Sequence, residues 1–201
     1  MLSQIRPAIV ILALFTALTG LAYPLAITGI AQLAFPGQAN GSLVFVGGAP
    51  VGSRLVGQNF ADAKYFHGRP SATQAQDPAH PDDSGKTVDA PYNAANSTGS
   101  NLGPTSQKLL DRVKADIAAR RAAGAAGPIA ADALTTSASG LDPDISPQNA
   151  RAQAEGVAKA RNLKVETVRA LVEAKIDPPF LGLVGEARVN VLALNIALDG
   201  L

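Results

Sequence analysis

The chain has 201 residues, 17 basic and 16 acidic side chains, no cysteine and a mean hydropathy of +0.13. The absence of cysteine excludes disulfides, thiolate-bound zinc, iron–sulfur centres and thiol catalysis. The charges are unevenly spread, because Arg6 is the only charged side chain before Arg54. The 16 basic and 16 acidic residues from Arg54 onward balance, so the polar part is formally neutral. This balance argues against an electrostatic nucleic-acid binder, and no nucleic-acid partner is expected.

Residues 7–35 contain no charged side chain and predict a single transmembrane helix. A bilayer span needs about 20 apolar residues, which this run exceeds. The alternative is a cleaved signal peptide, since residues 37–39 satisfy the small-x-small cleavage rule. The run is about twice the usual apolar length of a signal peptide, which favours an uncleaved anchor over 1–35. Arg6 and the free amine then predict a cytoplasmic N-terminus and an extracytoplasmic domain over 36–201.

Four residues of the span are candidates for contact with neighbouring membrane helices. Gly20 and Gly29 are small enough to let another helix approach closely. Gly20 and Pro24 weaken soluble helices but are common in transmembrane ones. The hydroxyl of Tyr23 needs a hydrogen-bond partner or an aqueous interface. We therefore expect helix packing at Gly20, Tyr23, Pro24 and Gly29.

The remainder predicts one soluble mixed α/β domain, so that the fold class is α+β behind one membrane helix. Residues 43–46 and 55–56 are predicted to be short strands separated by a Gly-Gly-Ala-Pro turn. Residues 66–105 are the least regular stretch, with five prolines among many Asn, Ser and Gly residues. A loop of this length is uncommon in a compact domain unless it is functional or mobile.

The C-terminal half predicts three helices and a final strand. Apolar residues at helical spacing favour a helix over 105–121. A serine N-cap followed by a proline predicts a second helix that starts at 146–147 and ends near 161. The same apolar pattern recurs over 164–175. Leucine or isoleucine at alternate positions predicts a strand over 188–198.

Neither a phosphate-binding loop nor a metal site is expected. The sequence HPDDSGKT at 80–87 approaches the P-loop pattern, but His80 stands where the first glycine is required. Asp82 and Asp83 would repel phosphates, and the flanking residues predict neither a strand nor a helix. His67 and His80 lack the spacing of metal ligands, and no G-x-S-x-G motif accompanies them. We expect no catalytic residue.

One polar stretch before a predicted helix is a candidate nucleotide or anion site. Residues 137–146, SASGLDPDIS, combine hydroxyls and a glycine with the N-terminus of the following helix, and such sites bind anions. The candidate ligands are Ser137, Ser139, Gly140 and Asp142. The carboxylates oppose an anion, so the alternative is a capped entry into the helix.

Five stretches carry a family resemblance in this order along the chain. They are LTGLAYPLAITG (18–29), GSRLVGQNFADAKYFHGRPSA (52–72), TGSNLGPTS (98–106), SASGLDPDIS (137–146) and RVNVLALNIAL (188–198). Together they resemble KdpC, the C-subunit family of the Kdp high-affinity potassium-transporting P-type ATPase. The sequence departs from the family pattern where a histidine is expected at Asp144, Gly-Gly at 97–98 and a proline at Ala187.

The resemblance implies a non-catalytic accessory subunit of an ATP-driven potassium uptake complex in the bacterial inner membrane. Its partners would be the Kdp A, B and F subunits and the membrane. The family role is assembly, together with a catalytic-chaperone activity that raises the ATP affinity of the B subunit. ATP would bind only with the B subunit, and no other cofactor is expected. No D-K-T-G phosphorylation motif is present in the sequence, in agreement with this role.

The predicted topology limits how such a subunit acts. ATP binds in the cytoplasm, whereas residues 36–201 are predicted to lie on the other side of the membrane. An effect on ATP affinity would then pass through the membrane subunits, which requires two states that the domain distinguishes. The alternatives are a membrane-anchored periplasmic hydrolase that uses His67 or His80, and a binding module released by cleavage.

Overall fold

The computed structural model describes residues 2–122, 124–125 and 127–201. The chain forms two compact units that divide between Ser53 and Arg54, and each is described by itself. Mixed helix and strand content behind an apolar N-terminal helix confirms the predicted fold class.

The first unit begins with one long apolar helix. A 3₁₀ turn at Leu2–Gln4 leads into α1 (Ile5–Ala17), a π-helical stretch (Leu18–Ala22) and α2 (Tyr23–Ala34). From Ile5 to Ala34 this is 30 residues, or about 45 Å, which exceeds the roughly 30 Å hydrocarbon core of a bilayer. The helix is long and apolar enough to cross a membrane, as the sequence predicts, and none of its residues is buried within the unit.

The π-helical stretch has a local cause. Pro24 has no N–H, so it cannot donate to the carbonyl four residues earlier and the α-helical ladder is interrupted there. The N–H of Tyr23 instead donates to the carbonyl of Leu18, five residues back. Thr19 donates its hydroxyl to the Phe15 carbonyl at 2.7 Å within the same region. The wider turn therefore accommodates Pro24 without ending the helix.

A hairpin completes the first unit. After α3 (Pro36–Ala39), β1 (Leu43–Val46) pairs antiparallel with β2 (Ala49–Ser53). The prediction of the first strand is confirmed, but the second strand is Ala49–Ser53 and not 55–56. The reason is the turn, because Gly47 and Gly48 both have positive φ and reverse the chain in two residues.

The irregular segment of the second unit holds one small ladder. Strands β3 (Gln74–Gln76) and β4 (Thr87–Asp89) pair antiparallel, with turns and coil on both sides. Residues 77–86 form the connection between them, so the P-loop-like sequence lies in a hairpin loop.

Helices and a three-stranded sheet form the rest of the second unit. The helices are α4 (Gln107–Ala122), α5 (Pro147–Arg161), α6 (Val165–Ala174) and α7 (Val191–Asp199), with a 3₁₀ turn at Ala131–Ala133. The strands are β5 (Asp144–Ile145), β6 (Ile176–Asp177) and β7 (Arg188–Asn190), antiparallel in the order β5-β7-β6. The predicted helices over 105–121, 147–161 and 164–175 are confirmed within a few residues.

The core lies where α5, α6 and α7 pack on β7. Its buried apolar side chains are Phe66, Ile145, Ala150, Ala154, Val157, Ala158, Val168, Val172, Val189, Val191, Leu194 and Leu198. Helix α4 stays outside this core, because none of its described side chains is buried. Its predicted apolar face is partly exposed to solvent, with Leu110 and Ile117 among the exposed side chains.

The predicted strand over 188–198 is wrong beyond its first three residues. Only Arg188–Asn190 is a strand, and α7 follows at once. Asn190 starts the helix as its N-cap, accepting the N–H of Ala193 at 3.0 Å. Apolar residues are so dense here that they fit both the two-residue repeat of a strand and the 3.6-residue repeat of a helix. Val191, Leu194 and Leu198 share one helical face.

A buried asparagine joins the irregular segment to this core. Asn195 Oδ1 accepts the backbone N–H of Phe66 at 2.8 Å, and Asn195 Nδ2 donates to the Phe66 carbonyl at 3.0 Å. Both residues are almost fully buried. The amide therefore replaces a neighbouring strand for one residue of the chain, and the Phe66 ring enters the core beside it.

Replacement of Asn195 tests how much this amide contributes to the unfolding free energy. Asn195→Ala leaves both backbone groups of Phe66 buried without partners, which costs about 2–5 kcal/mol of unfolding free energy. Asn96→Ala is the control, since its exposed side chain also donates to a backbone carbonyl. We expect denaturant unfolding of the full chain in detergent to show a loss below about 1 kcal/mol for the control. Equal losses of unfolding free energy in the two variants would contradict a special contribution of Asn195 to stability.

Candidate functional site

The motif segments of the second unit converge on one another around residues 137–142. Gly57 donates its N–H to the Leu141 carbonyl at 2.8 Å. Ser71 donates its hydroxyl to the Gly140 carbonyl at 2.8 Å, and Ser97 donates to the Ser139 carbonyl at 3.0 Å. We call this meeting of segments 54–73, 97–100 and 136–142 the motif junction.

Three of the predicted nucleotide ligands bond to their own loop. Ser137 Oγ accepts the N–H of Gly140 at 2.9 Å, and Ser139 Oγ accepts the N–H of Leu141 at 3.1 Å. The two serine hydroxyls lie 3.1 Å apart and share a hydrogen bond. Ser137 is buried, whereas Ser139 is exposed. The loop therefore satisfies its own donors in the way of a capped turn.

Gly140 is fixed by its surroundings. Its φ of +69° belongs to the left-handed region that favours glycine. A Cβ there would collide with the Thr73 methyl group and lie 2.7 Å from the Thr98 carbonyl oxygen. Glycine at 140 is therefore explained by close packing within the junction, without reference to a ligand.

The fourth predicted ligand, Asp142, forms an ion pair inside the junction. Its Oδ2 accepts from Arg69 Nη1 at 2.9 Å, and its Oδ1 accepts the N–H of Asp144 at 3.1 Å. Tyr92 donates its hydroxyl to the Arg69 carbonyl at 2.8 Å. Burial, with the nearby Asp142 carboxylate, raises the pKa of Tyr92 to about 12, so this hydroxyl stays a donor at neutral pH.

The junction leads into α5 through a shared carboxylate. Asp132 accepts from the N–H of Ser146 at 2.8 Å, from its hydroxyl at 2.8 Å and from Asn149 Nδ2 at 3.0 Å. Ser146 Oγ accepts the N–H of Asn149 at 3.1 Å, which confirms the predicted N-cap. Burial raises the pKa of Asp132, but the hydrogen bonds from Ser146 and Asn149 outweigh it and hold the pKa below its ordinary value.

The comparison with known proteins decides the family. The family model described as KdpC, K+-transporting ATPase, c chain, matches residues 5–200. The chain belongs to the KdpC family. The match takes in the apolar helix and the motif junction together, and it makes the chain a subunit of a potassium-transporting ATPase.

Named KdpC relatives are similar over the whole length. The potassium-transporting ATPase KdpC subunit of Bradyrhizobium diazoefficiens is 60% identical over 199 residues, which cover 99% of this chain and 98% of the relative. The subunit of Rhodopseudomonas palustris strain CGA009 is 59% identical with the same coverage. That of Methylorubrum populi is 57% identical over 201 residues, or 100% of this chain and 98% of the relative.

Asp144, where the KdpC pattern led us to expect a histidine, lies at the edge of the junction in β5. Its Oδ1 accepts from Asn190 Nδ2 at 3.0 Å, and its Oδ2 lies 3.3 Å from Arg188 Nε. Burial raises its pKa against the opposing effect of these two partners. The side chain thus links β5 to β7 across the small sheet.

The two histidines occupy different environments in this KdpC chain. His80 pairs through Nδ1 with Asp77 Oδ2 at 2.8 Å in the exposed loop between β3 and β4. The backbone N–H of His67 donates to Gln153 Oε1 at 2.8 Å, and the residue is exposed to solvent. Desolvation by the surrounding protein atoms, and then the positive charge of Arg120, lower the pKa of its imidazole. Among the described residues, no three His, Asp or Glu side chains are placed to hold a metal.

The predicted helix-packing residues are placed on an uncovered helix. Gly20, Tyr23 and Pro24 are three and four residues apart, and Tyr23 is exposed. A Cβ built at Gly20 meets nothing closer than a Thr16 methyl group at 4.0 Å, and one at Gly29 meets nothing within 4 Å. These glycines are therefore not required by the chain's own packing.

A basic cleft is the feature that the sequence analysis missed. It encloses about 660 Å³ between α5 and the segment that follows α4. Arg120, Arg151, Lys159 and Arg169 line it, with Glu155 as an acidic member, and none of the four predicted nucleotide ligands does. The spacing of Arg151, Glu155 and Lys159 by four residues was the available signal, because it places them on one face of a helix.

The Asp132 carboxylate gives the second unit a defined response to acid. Its folded-state pKa lies below the unfolded value of about 3.9, so its stabilisation is present above that pH and is lost as the pH falls through the folded pKa. We expect Asp132→Ala to lower the unfolding free energy at pH 7 by about 2 kcal/mol and to flatten its decline in acid.

Asp111→Ala is the matched control for this prediction. Asp111 is exposed on α4 and accepts one hydrogen bond from Gln107. Its removal should change the unfolding free energy by less than about 0.5 kcal/mol at pH 7. Unfolding curves of both variants in detergent between acid and neutral pH provide the measurement, and a parallel acid decline in the Asp132 variant would contradict the assignment.

Proposed function

We propose that this KdpC chain is a non-catalytic accessory subunit that assembles with the Kdp A, B and F subunits and raises the ATP affinity of the ATP-hydrolysing B subunit. The family match supports the membership of the complex. The finer role is supported by the motif junction, whose hydroxyls, glycine and carboxylate form hydrogen bonds within the fold. Segments whose polar groups are bonded to one another form a rigid surface, which suits contact with a partner subunit.

The ATP effect would pass through the membrane subunits. Arg6 is the only charged side chain before Arg54, and with the free amine it favours a cytoplasmic N-terminus and a second unit in the periplasm. A domain on that side meets no cytoplasmic ATP. It changes the affinity only if it binds one conformational state of the transporter more tightly than another.

The apolar helix would supply part of the assembly surface. Gly20 and Gly29 have open space around them in the chain alone, and small residues let a second helix approach in a bilayer. Tyr23 and Pro24 follow Gly20 by about one turn of the helix. Packing of the helix against the A, B or F subunit would bury these positions.

A reconstitution assay with two variants tests the role. The isolated chain should hydrolyse no ATP, and its addition to the other three subunits should restore potassium-stimulated hydrolysis. Ser139→Ala removes an exposed hydroxyl of the predicted nucleotide site and should leave the apparent ATP affinity unchanged. Gly20→Leu should reduce co-purification of the subunits, because added bulk separates helix backbones.

The contrary results separate the mechanisms. A tenfold loss of ATP affinity in an assembled Ser139→Ala complex corresponds to about 1.4 kcal/mol and would indicate direct nucleotide contact. Full assembly with Gly20→Leu would remove the proposed helix contact. ATP hydrolysis by the isolated chain would overturn the non-catalytic role.

The topology has its own test. The chain has no cysteine, so a single Ser84→Cys in the exposed loop between β3 and β4 carries the only thiol. We expect a membrane-impermeant maleimide to label it in intact spheroplasts. Ser3→Cys, before the membrane helix, is the matched control and should react only after lysis. The reverse pattern would place the second unit in the cytoplasm.

A further inference from the structure

The hairpin after the membrane helix exposes apolar side chains on both of its faces. Leu43, Phe45 and Val46 of β1 are 52%, 58% and 48% exposed. Successive residues of a strand point to opposite faces, so Phe45 and Val46 place apolar surface on both sides of the ladder. A two-stranded ladder in water is marginally stable and gains stability when such a face is covered.

The other hairpin of the chain provides an internal comparison. Strands β3 and β4 read Gln-Ala-Gln and Thr-Val-Asp, so that polar side chains alternate with Ala75 and Val88. This is the pattern of a ladder with one face in water. The β1–β2 hairpin lacks that alternation in β1, which reads Leu-Val-Phe-Val.

Side-chain hydrogen bonds connect the first hairpin to the end of the membrane helix. Asn40 Nδ2 donates to Gln32 Oε1 at 3.0 Å, and Gln32 Nε2 donates back to Asn40 Oδ1 at 3.3 Å. Ser53, the last residue of β2, donates its hydroxyl to the Gly41 carbonyl at 2.7 Å. These contacts connect the base of the hairpin to the last turns of α2.

Apolar surface is continuous from the helix to the hairpin. Leu33 and Phe35 at the end of the helix are exposed, and no charged residue occurs between Arg6 and Arg54. The helix is about 15 Å longer than a hydrocarbon core, so its end reaches the interfacial layer of the bilayer. The hairpin strands, about 13–17 Å long, begin nine residues after Ala34.

We propose that the β1–β2 hairpin lies in the lipid–water interface and binds the boundary between headgroups and acyl chains as a second membrane contact. The side chains of β1 offer no hydrogen-bond donor or acceptor, whereas protein interfaces carry about one hydrogen bond per 100–200 Å². Their lack of charge makes the contact depend on burial of apolar area and not on anionic lipid. The proposal rests on the membrane span and not on the role in ATP affinity.

Site-directed fluorescence in nanodiscs tests this contact. The full chain with Phe45→Cys, labelled with bimane, is placed in discs of phosphatidylethanolamine and phosphatidylglycerol, where aqueous quencher reaches both faces. We expect quenching by a lipid spin-labelled near the headgroup to exceed quenching by one labelled at the chain end about twofold. Iodide should quench this site weakly. Val88→Cys on the β3–β4 hairpin is the control, and iodide should quench it strongly.

The alternatives give distinct results. Strong iodide quenching at both sites would overturn the proposal. Protection of Phe45→Cys only in discs that contain all four subunits would assign the hairpin to a partner protein and would also overturn it. Leu43→Cys repeats the measurement on the same strand, so that a folding defect of one variant does not decide the result. Equal headgroup-level quenching in discs of phosphatidylcholine alone would support a contact made by apolar burial.

Discussion

The second unit depends on one buried amide. The Asn195 side chain accepts from and donates to the backbone of Phe66, and so it fixes the start of an irregular segment onto α7. The neighbouring contacts reinforce this attachment, because Arg161 donates to the Lys64 carbonyl at 2.8 Å and stacks over the Tyr65 ring at 4.9 Å. Few strands hold the segment elsewhere, so a side chain must supply the pairing that a sheet would otherwise give.

Side-chain hydrogen bonds likewise hold together the segments of the motif junction. The stretch 137–142 looks like an anion or nucleotide site when it is read alone, since hydroxyls, glycine and charge occur in ligand sites and in capped loops alike. In the fold its residues Gly140 and Asp142 instead contact Ser71 and Arg69 across long sequence separations. A small domain with few core leucines gains its specificity from such satisfied polar contacts, because each one is costly to break when buried.

The sequence predicted the elements whose signals are local. The Ser146 N-cap and the apolar membrane helix depend on neighbouring residues, and both are confirmed. The prediction of a final strand was wrong because the leucines fit the repeat of a strand and that of a helix equally well. The Asn190 side chain caps a helix at this point, which favours the helix. The pairing of Asn195 with Phe66 spans 129 residues, and no local pattern marks it. The basic cleft likewise forms only when α5 meets the segment after α4.

The π-helical stretch before Pro24 changes the directions in which the side chains of the membrane helix point. A turn of about 4.4 residues, in place of 3.6, rotates everything beyond Leu18–Ala22 by roughly 90° relative to an unbroken α-helix. Side chains of α1 and α2 that helical spacing would align are therefore offset. One straight neighbouring helix cannot follow a single stripe along the full span. The two halves of the helix therefore present their side chains in different directions around its axis.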